Sequence, residues 1–141
     1  MAAYVKYYLG TLALDSTINA ATDSWKIILS NTAPNVSTNT TAVSATELGT
    51  VGGYTAGGVT ATITSHTQTT GVVKLILAAP ASPTWTASGA GFTFQYVILY
   101  NLTVTQCVAY WDYGVPVVMN GTNADTFTPV LDAVNGTYTL T

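Results

Sequence analysis

The chain has 141 residues, 48% of them hydrophobic, and only nine ionised side chains: Lys6, Lys26, Lys74 and six carboxylates, for a net charge of −3. Without a basic face it lacks the cations that hold nucleic acid by its phosphates, and no run reaches the roughly 18 apolar residues of a membrane-spanning helix, so no DNA, RNA or membrane partner is expected. One domain is expected at this length, residues 1–141, held by packing alone because the single Cys107 cannot close an internal disulfide.

Charged residues are 6% of the chain, where an ordinary soluble domain has about 25%. Solubility leans on net charge and interspersed ions, so a surface this neutral points to a protein that is assembled with copies of itself or with a partner. The 27 threonines, with many Val, Ile and Tyr, favour strands over helices.

In chain order, residues 1–14 read as an N-terminal arm or short helix. Tyr4, Val5, Tyr8, Leu9 and Leu12 recur at helical spacing, and Gly10 keeps any helix brief. Asp15-Ser16-Thr17 and Asp23-Ser24 are turn chemistry, and Trp25-Lys26-Ile27-Ile28-Leu29-Ser30 is a strand. Residues 31–58 form a long surface loop: 31–48 has neither apolar period, and Gly52, Gly53, Gly57 and Gly58 flank Tyr54 where several positive-φ positions are wanted. Strands at 59–65 and 72–78, joined by Thr69-Thr70-Gly71, read as an antiparallel hairpin. Phe92–Tyr100 is apolar on both faces near its end, as in a central strand, and Val104–Tyr113 is a strand that ends at Gly114 before Pro116. Asn120-Gly121 and Asn135-Gly136 are tight-turn signals, the second closing a C-terminal hairpin of Asp125–Leu131 with Thr137–Thr141. The expected fold is all-β: a single-domain antiparallel β-sandwich of seven or eight strands, with the jelly roll as one form of it.

Catalytic chemistry is sparse. Asp112, Asp125 and Asp132 could flank a glycosidic bond only if the fold converged them, and Asp112 and Asp132 sit where turn and strand-end carboxylates belong. His66 has no ligand neighbour at metal spacing, Cys107 reads as a buried strand residue, and the Gly cluster lacks the GK[ST] of a phosphate loop. No enzyme activity, cofactor or metal is expected. Among the aromatics, those around 94–100 and 108–112 read as core. Tyr4, Tyr7, Tyr8 and Tyr54, in the arm and the loop, are the candidate interface anchors or sugar-stacking groups.

Asp23-Ser24-Trp25-Lys26-Ile27-Ile28-Leu29, Glu47 leading to Gly53-Tyr54-Thr55-Ala56-Gly57-Gly58, Trp85, Phe94–Asn101, Tyr110-Trp111-Asp112-Tyr113-Gly114 and the Thr-rich terminus follow one another over nearly the whole chain. In this order they resemble a family of small structural proteins of tailed bacteriophages and prophages that carries a G-Y-T-A-G-G motif. The resemblance implies a virion component made in the host bacterial cytoplasm: a capsid decoration (cement) protein that binds the major capsid protein and stabilises the head shell. A tail or fibre component that binds a receptor or glycan is the alternative. It also implies a closed homo-oligomer, a trimer ahead of a dimer because capsid lattices offer threefold positions. No catalytic residue is carried over.

Overall fold

The β-branched and aromatic run Trp25–Ser30 forms β2, a strand buried along most of its length, and the rest of the chain is laid down on either side of it. The computed structural model describes residues 2–8, 10, 13, 17–38, 40–41, 45–79 and 84–140. The other strands are β1 (Ala3–Lys6), β3 (Val59–Thr69), β4 (Val72–Ala78), β5 (Trp85–Thr86), β6 (Phe92–Asn101), β7 (Gln106–Met119), β8 (Thr126–Phe127) and β9 (Tyr138–Leu140). Seven of them make one antiparallel sheet in the order β1-β7-β6-β2-β3-β4-β9, and β5 pairs with β8 in a small second sheet.

The large sheet curls because β3 belongs to two ladders. Val59, Thr60 and Ala61 pair with β2, while Thr62 to Thr69 pair with β4, and a bulge lies between Ile63 and Ser65. A bulged strand that changes partners turns a sheet through a corner. The curl brings the two outer strands together: Lys6 Nζ of β1 donates to the Thr139 carbonyl of β9 at 2.7 Å and lies 4.7 Å from the Tyr138 ring centre.

Period-two alternation then gives the central strands two apolar faces. Trp25, Ile27, Leu29, Val97, Leu99 and Ala109 line the concave side with Leu75 and Leu77 from β4. Trp85 and Phe127 of the small sheet stack at 5.9 Å and close this core, with Phe127 only 4.6 Å from Phe94. The convex face carries Ile28, Tyr96, Ile98, Tyr100 and Cys107, and it is covered by Tyr7 and Ala45. The fold is therefore all-β and sandwich-like, as expected, with β6 buried on both faces between β2 and β7. Its strands divide seven and two, not into the paired four-stranded sheets of a jelly roll.

Of the two readings of the N-terminal segment, Tyr4 and Val5 take the extended one, in β1, because β7 offers Ala109–Asp112 as an open ladder and tertiary pairing overrides a short helical period. Helical backbone occurs at Tyr8, Gly10 and Ala13; Leu9 and Leu12 fall outside the described residues. Three other local expectations are corrected. β7 runs through Gly114 to Met119, since Tyr96 opposes Asp112 while Phe94 opposes Val117, and the four residues between them bulge out of the ladder. Pro116 sits in that bulge, where its missing N–H breaks no bond, and only β6 pairs with the continuation. Asn120-Gly121 opens a longer loop in which the Asn120 side chain accepts the Thr122 amide; Gly121 is required because a Cβ would meet Gly89 O at 2.4 Å. Finally, no C-terminal hairpin forms: β8 pairs with β5 and β9 with β4, whose outer edge would otherwise be bare.

Candidate interface surface

The Gly cluster solves a problem created by β2. β3 begins at Val59, opposite Ile27, so Leu29, two residues further along β2, has no strand beside it on that edge. Leu48 N–H donates to Leu29 O at 2.8 Å, and Leu29 N–H donates to the Tyr54 hydroxyl at 3.1 Å. That hydroxyl donates in turn to Glu47 Oε1 at 2.6 Å, and Glu47 Oε1 also accepts the Gly57 amide at 2.7 Å. Tyr54 is 1% exposed, and its ring lies against Trp85 and Phe92 at 5.9 and 6.1 Å. Burial raises its phenol pKa above the ordinary value, the bond to Glu47 adds to the rise, and the Leu29 amide partly offsets it.

The backbone on both sides of Tyr54 must approach its neighbours closely. All four glycines have positive φ, and a Cβ on Gly58 would sit 2.1 Å from Ile27 O. The reading of this segment as backbone geometry leading into β3 is borne out, and Tyr54 packs on the body of its own chain.

The four tyrosines expected at an interface therefore separate. Tyr54 and Tyr7 are core residues, which corrects their reading as contact anchors. Tyr7 N–H bonds Val108 O at 2.9 Å, and burial raises its phenol pKa, with Cys107 and Tyr110 adding to the rise. Tyr8 is 66% exposed and Tyr4 38%, the latter beside Trp111 at 5.3 Å. The 31–48 loop is tied down at several points. Ser30 Oγ donates to Thr46 O at 2.8 Å, Tyr8 N–H donates to Val36 O, and Cys107 N–H donates to Thr40 O. Its Ala45 covers part of the convex face of the sheet.

The ionisable groups are absorbed into loops. Asp112 Oδ1 accepts Gly114 N–H and the Gln95 amide, Asp125 Oδ2 accepts Asn120 N–H, and Asp132 Oδ1 accepts the Val134 and Asn135 amides. These bonds hold the Asp132 carboxyl below its ordinary pKa. Asp23 Oδ2 accepts from Asn19 N–H and from Asn101 Nδ2. Each of these four carboxylates is a turn staple, the structural role that sequence reasoning assigned to Asp112 and Asp132. His66 lies exposed on β3, and burial pushes the Cys107 thiol up to about 12. Among the described residues no three His, Cys, Asp or Glu side chains gather as metal ligands.

The exposed surface also carries apolar side chains. An open depression of about 500 Å³ is lined by Thr64, Ser65, Ile76, Leu77, Pro129 and Val130 among others, with no ionisable side chain. Val130 beside it is 84% exposed, and Val134, Val115 and Val118 are also largely in water. Sequence reasoning missed these valines. Their sequence signal was slight: Val115 and Val130 adjoin Pro116 and Pro129, and Val134 precedes Asn135-Gly136. Comparison of the chain with known protein families, curated proteins and solved structures gives no match.

Proposed function

We propose that this chain is a structural virion protein of a tailed bacteriophage, a capsid decoration protein that binds the major capsid protein and braces the head shell. The observation that carries the reading is a neutral, partly apolar exterior on a tightly stapled β body. Exposed Tyr8, Val115, Val118, Val130 and Val134 accompany nine ionised groups in 141 residues. Apolar and backbone contacts of this kind are little screened by salt, and many copies on a lattice turn weak single contacts into avidity. The ordered run from Asp23 to the Thr-rich terminus supports the same role by resemblance.

The decisive experiment is electron microscopy of the purified virion with quantitative mass spectrometry of its components. The expected result is density for this chain on the head in stoichiometry with the capsid lattice, and heads lacking it that burst at lower temperature. Its absence from virions, or unchanged shell stability on its removal, refutes the proposal. A receptor- or glycan-binding tail component is the second reading, favoured by the exposure of Tyr8. Glycan binding by the isolated chain that is lost in Tyr8→Ala would replace the first reading with the second.

A further inference from the structure

We propose that the outer edge of β3, from Thr62 to Thr69, pairs antiparallel with the same strand of a second copy about a twofold axis near His66. β2 accompanies β3 only as far as Ala61, so beyond that residue, among the described residues, the side of β3 away from β4 has no strand on it. The residues there are largely exposed. The two-residue turn at Thr70 and Gly71, both with positive φ, makes Thr69 and Val72 a mutually hydrogen-bonded pair. Alternation along the ladder then sends the N–H and C=O of His66 and Gln68 outward, away from β4.

The remaining edges are closed or blunted. β1 and β9 face each other through Lys6, and β5 and β8 are two residues long. The free stretch of β7 carries a bulge at Gly114 and Pro116, the usual guards against edge pairing. From Ser65 to Thr69 β3 has no bulge, no proline and no ionised side chain, and no Lys, Arg, Asp or Glu occurs from Val59 through Val73.

Neutrality is what selects a second copy as the occupant. A twofold axis sets each residue near the centre against itself, so a charged edge would repel its own copy, while this one does not. Outward groups must oppose outward groups, which places His66 either opposite its copy or diagonal to it across Thr67. The edge also shares Thr64 and Ser65 with the apolar depression, so a docked strand lies alongside it. A twofold contact departs from the trimer expected on lattice grounds. It stands apart from the virion reading, because a dimer in solution is measured without a shell and either proposal can fail alone.

Sedimentation velocity of the full chain reads the association. The expected result is a concentration-dependent rise from monomer to dimer and no further, with amide exchange at His66 and Gln68 slowing as the dimer fills. Gln68→Pro deletes an outward N–H and spares the β4 ladder; it is expected to melt cooperatively and to stay monomeric. His66→Lys sets a cation near its own copy at an exposed site that does not hold the fold. It is expected to weaken the dimer by roughly tenfold or more, with recovery in high salt. A wild-type chain that remains monomeric or forms a trimer overturns the proposal, as does a dimer that His66→Lys leaves intact.

Discussion

Replacing Tyr54 by Phe removes one oxygen atom and tests the role of the Gly cluster more sharply than any truncation. The ring stays against Trp85 and Phe92, so little packing is lost. Leu29 N–H, in a residue with no exposed surface, loses its acceptor, and an unsatisfied buried donor costs about 1–3 kcal/mol. Glu47 keeps the Gly57 amide and is half-buried, so loss of its bond from the phenol adds about 1 kcal/mol. Tyr54→Phe is therefore expected to cost about 2–4 kcal/mol, which at roughly 3–5 °C per kcal/mol lowers Tm by about 6–20 °C. Urea unfolding followed by tryptophan fluorescence measures it, Trp85 lying 5.9 Å from the substituted ring. Glu47→Gln completes a double-mutant cycle in which about 1 kcal/mol of coupling is expected. A loss below about 0.5 kcal/mol with an unchanged m-value, the range of ordinary surface substitutions, would refute the reasoning.

Three further outcomes are expected. Gly58→Ala should destabilise by about 3 kcal/mol or more, because φ is +60° and the Cβ meets Ile27 O, whereas Gly57→Ala, with open space around it, should cost only about 1 kcal/mol of backbone strain; equal losses at the two sites would sink the close-approach argument. Stability should fall at alkaline pH, since groups whose folded pKa is raised contribute fully below their unfolded values and lose that contribution as pH climbs toward the folded ones. The fall begins near pH 9 with Cys107, whose thiol is pushed up to about 12, and steepens above 10 as the buried tyrosines join. Cys107→Ala should move its onset up to about pH 10 in urea titrations at successive pH. Lys6→Met should lose about 1–2 kcal/mol and speed amide exchange in β1 and β9, because it removes the Thr139 bond and the contact with Tyr138 that hold the two outer strands together. Exchange unchanged in both strands would show that the sheet closes without it.

Much of the strand content was legible because its signals are local. Trp25–Ser30 became β2 with the bounds its composition indicates, and the Thr70-Gly71 turn set the β3–β4 hairpin. The four glycines around Tyr54 gave positive φ, which only a residue without Cβ adopts freely. Cys107 as a buried strand residue and the carboxylates as turn groups were equally readable, since each depends on neighbours a few residues away.

Pairing between distant segments was decided only in three dimensions. Asn135-Gly136 announces a turn, but nothing near it in sequence says that β9 will cross to β4 and leave β8 to β5. Tyr4 has a helical period on paper and a strand partner in Trp111, more than a hundred residues away. Tyr54 and Tyr7 look alike as loop aromatics until the curl of the sheet closes over one and the convex-face cover over the other. The sequence by itself thus determined a sparsely charged, threonine-rich β protein and the sites of its turns, because propensity and backbone sterics act over a few residues. The tertiary structure alone decided which aromatics are buried and which edge of β3 stays open, because those depend on where a bulge sends a strand.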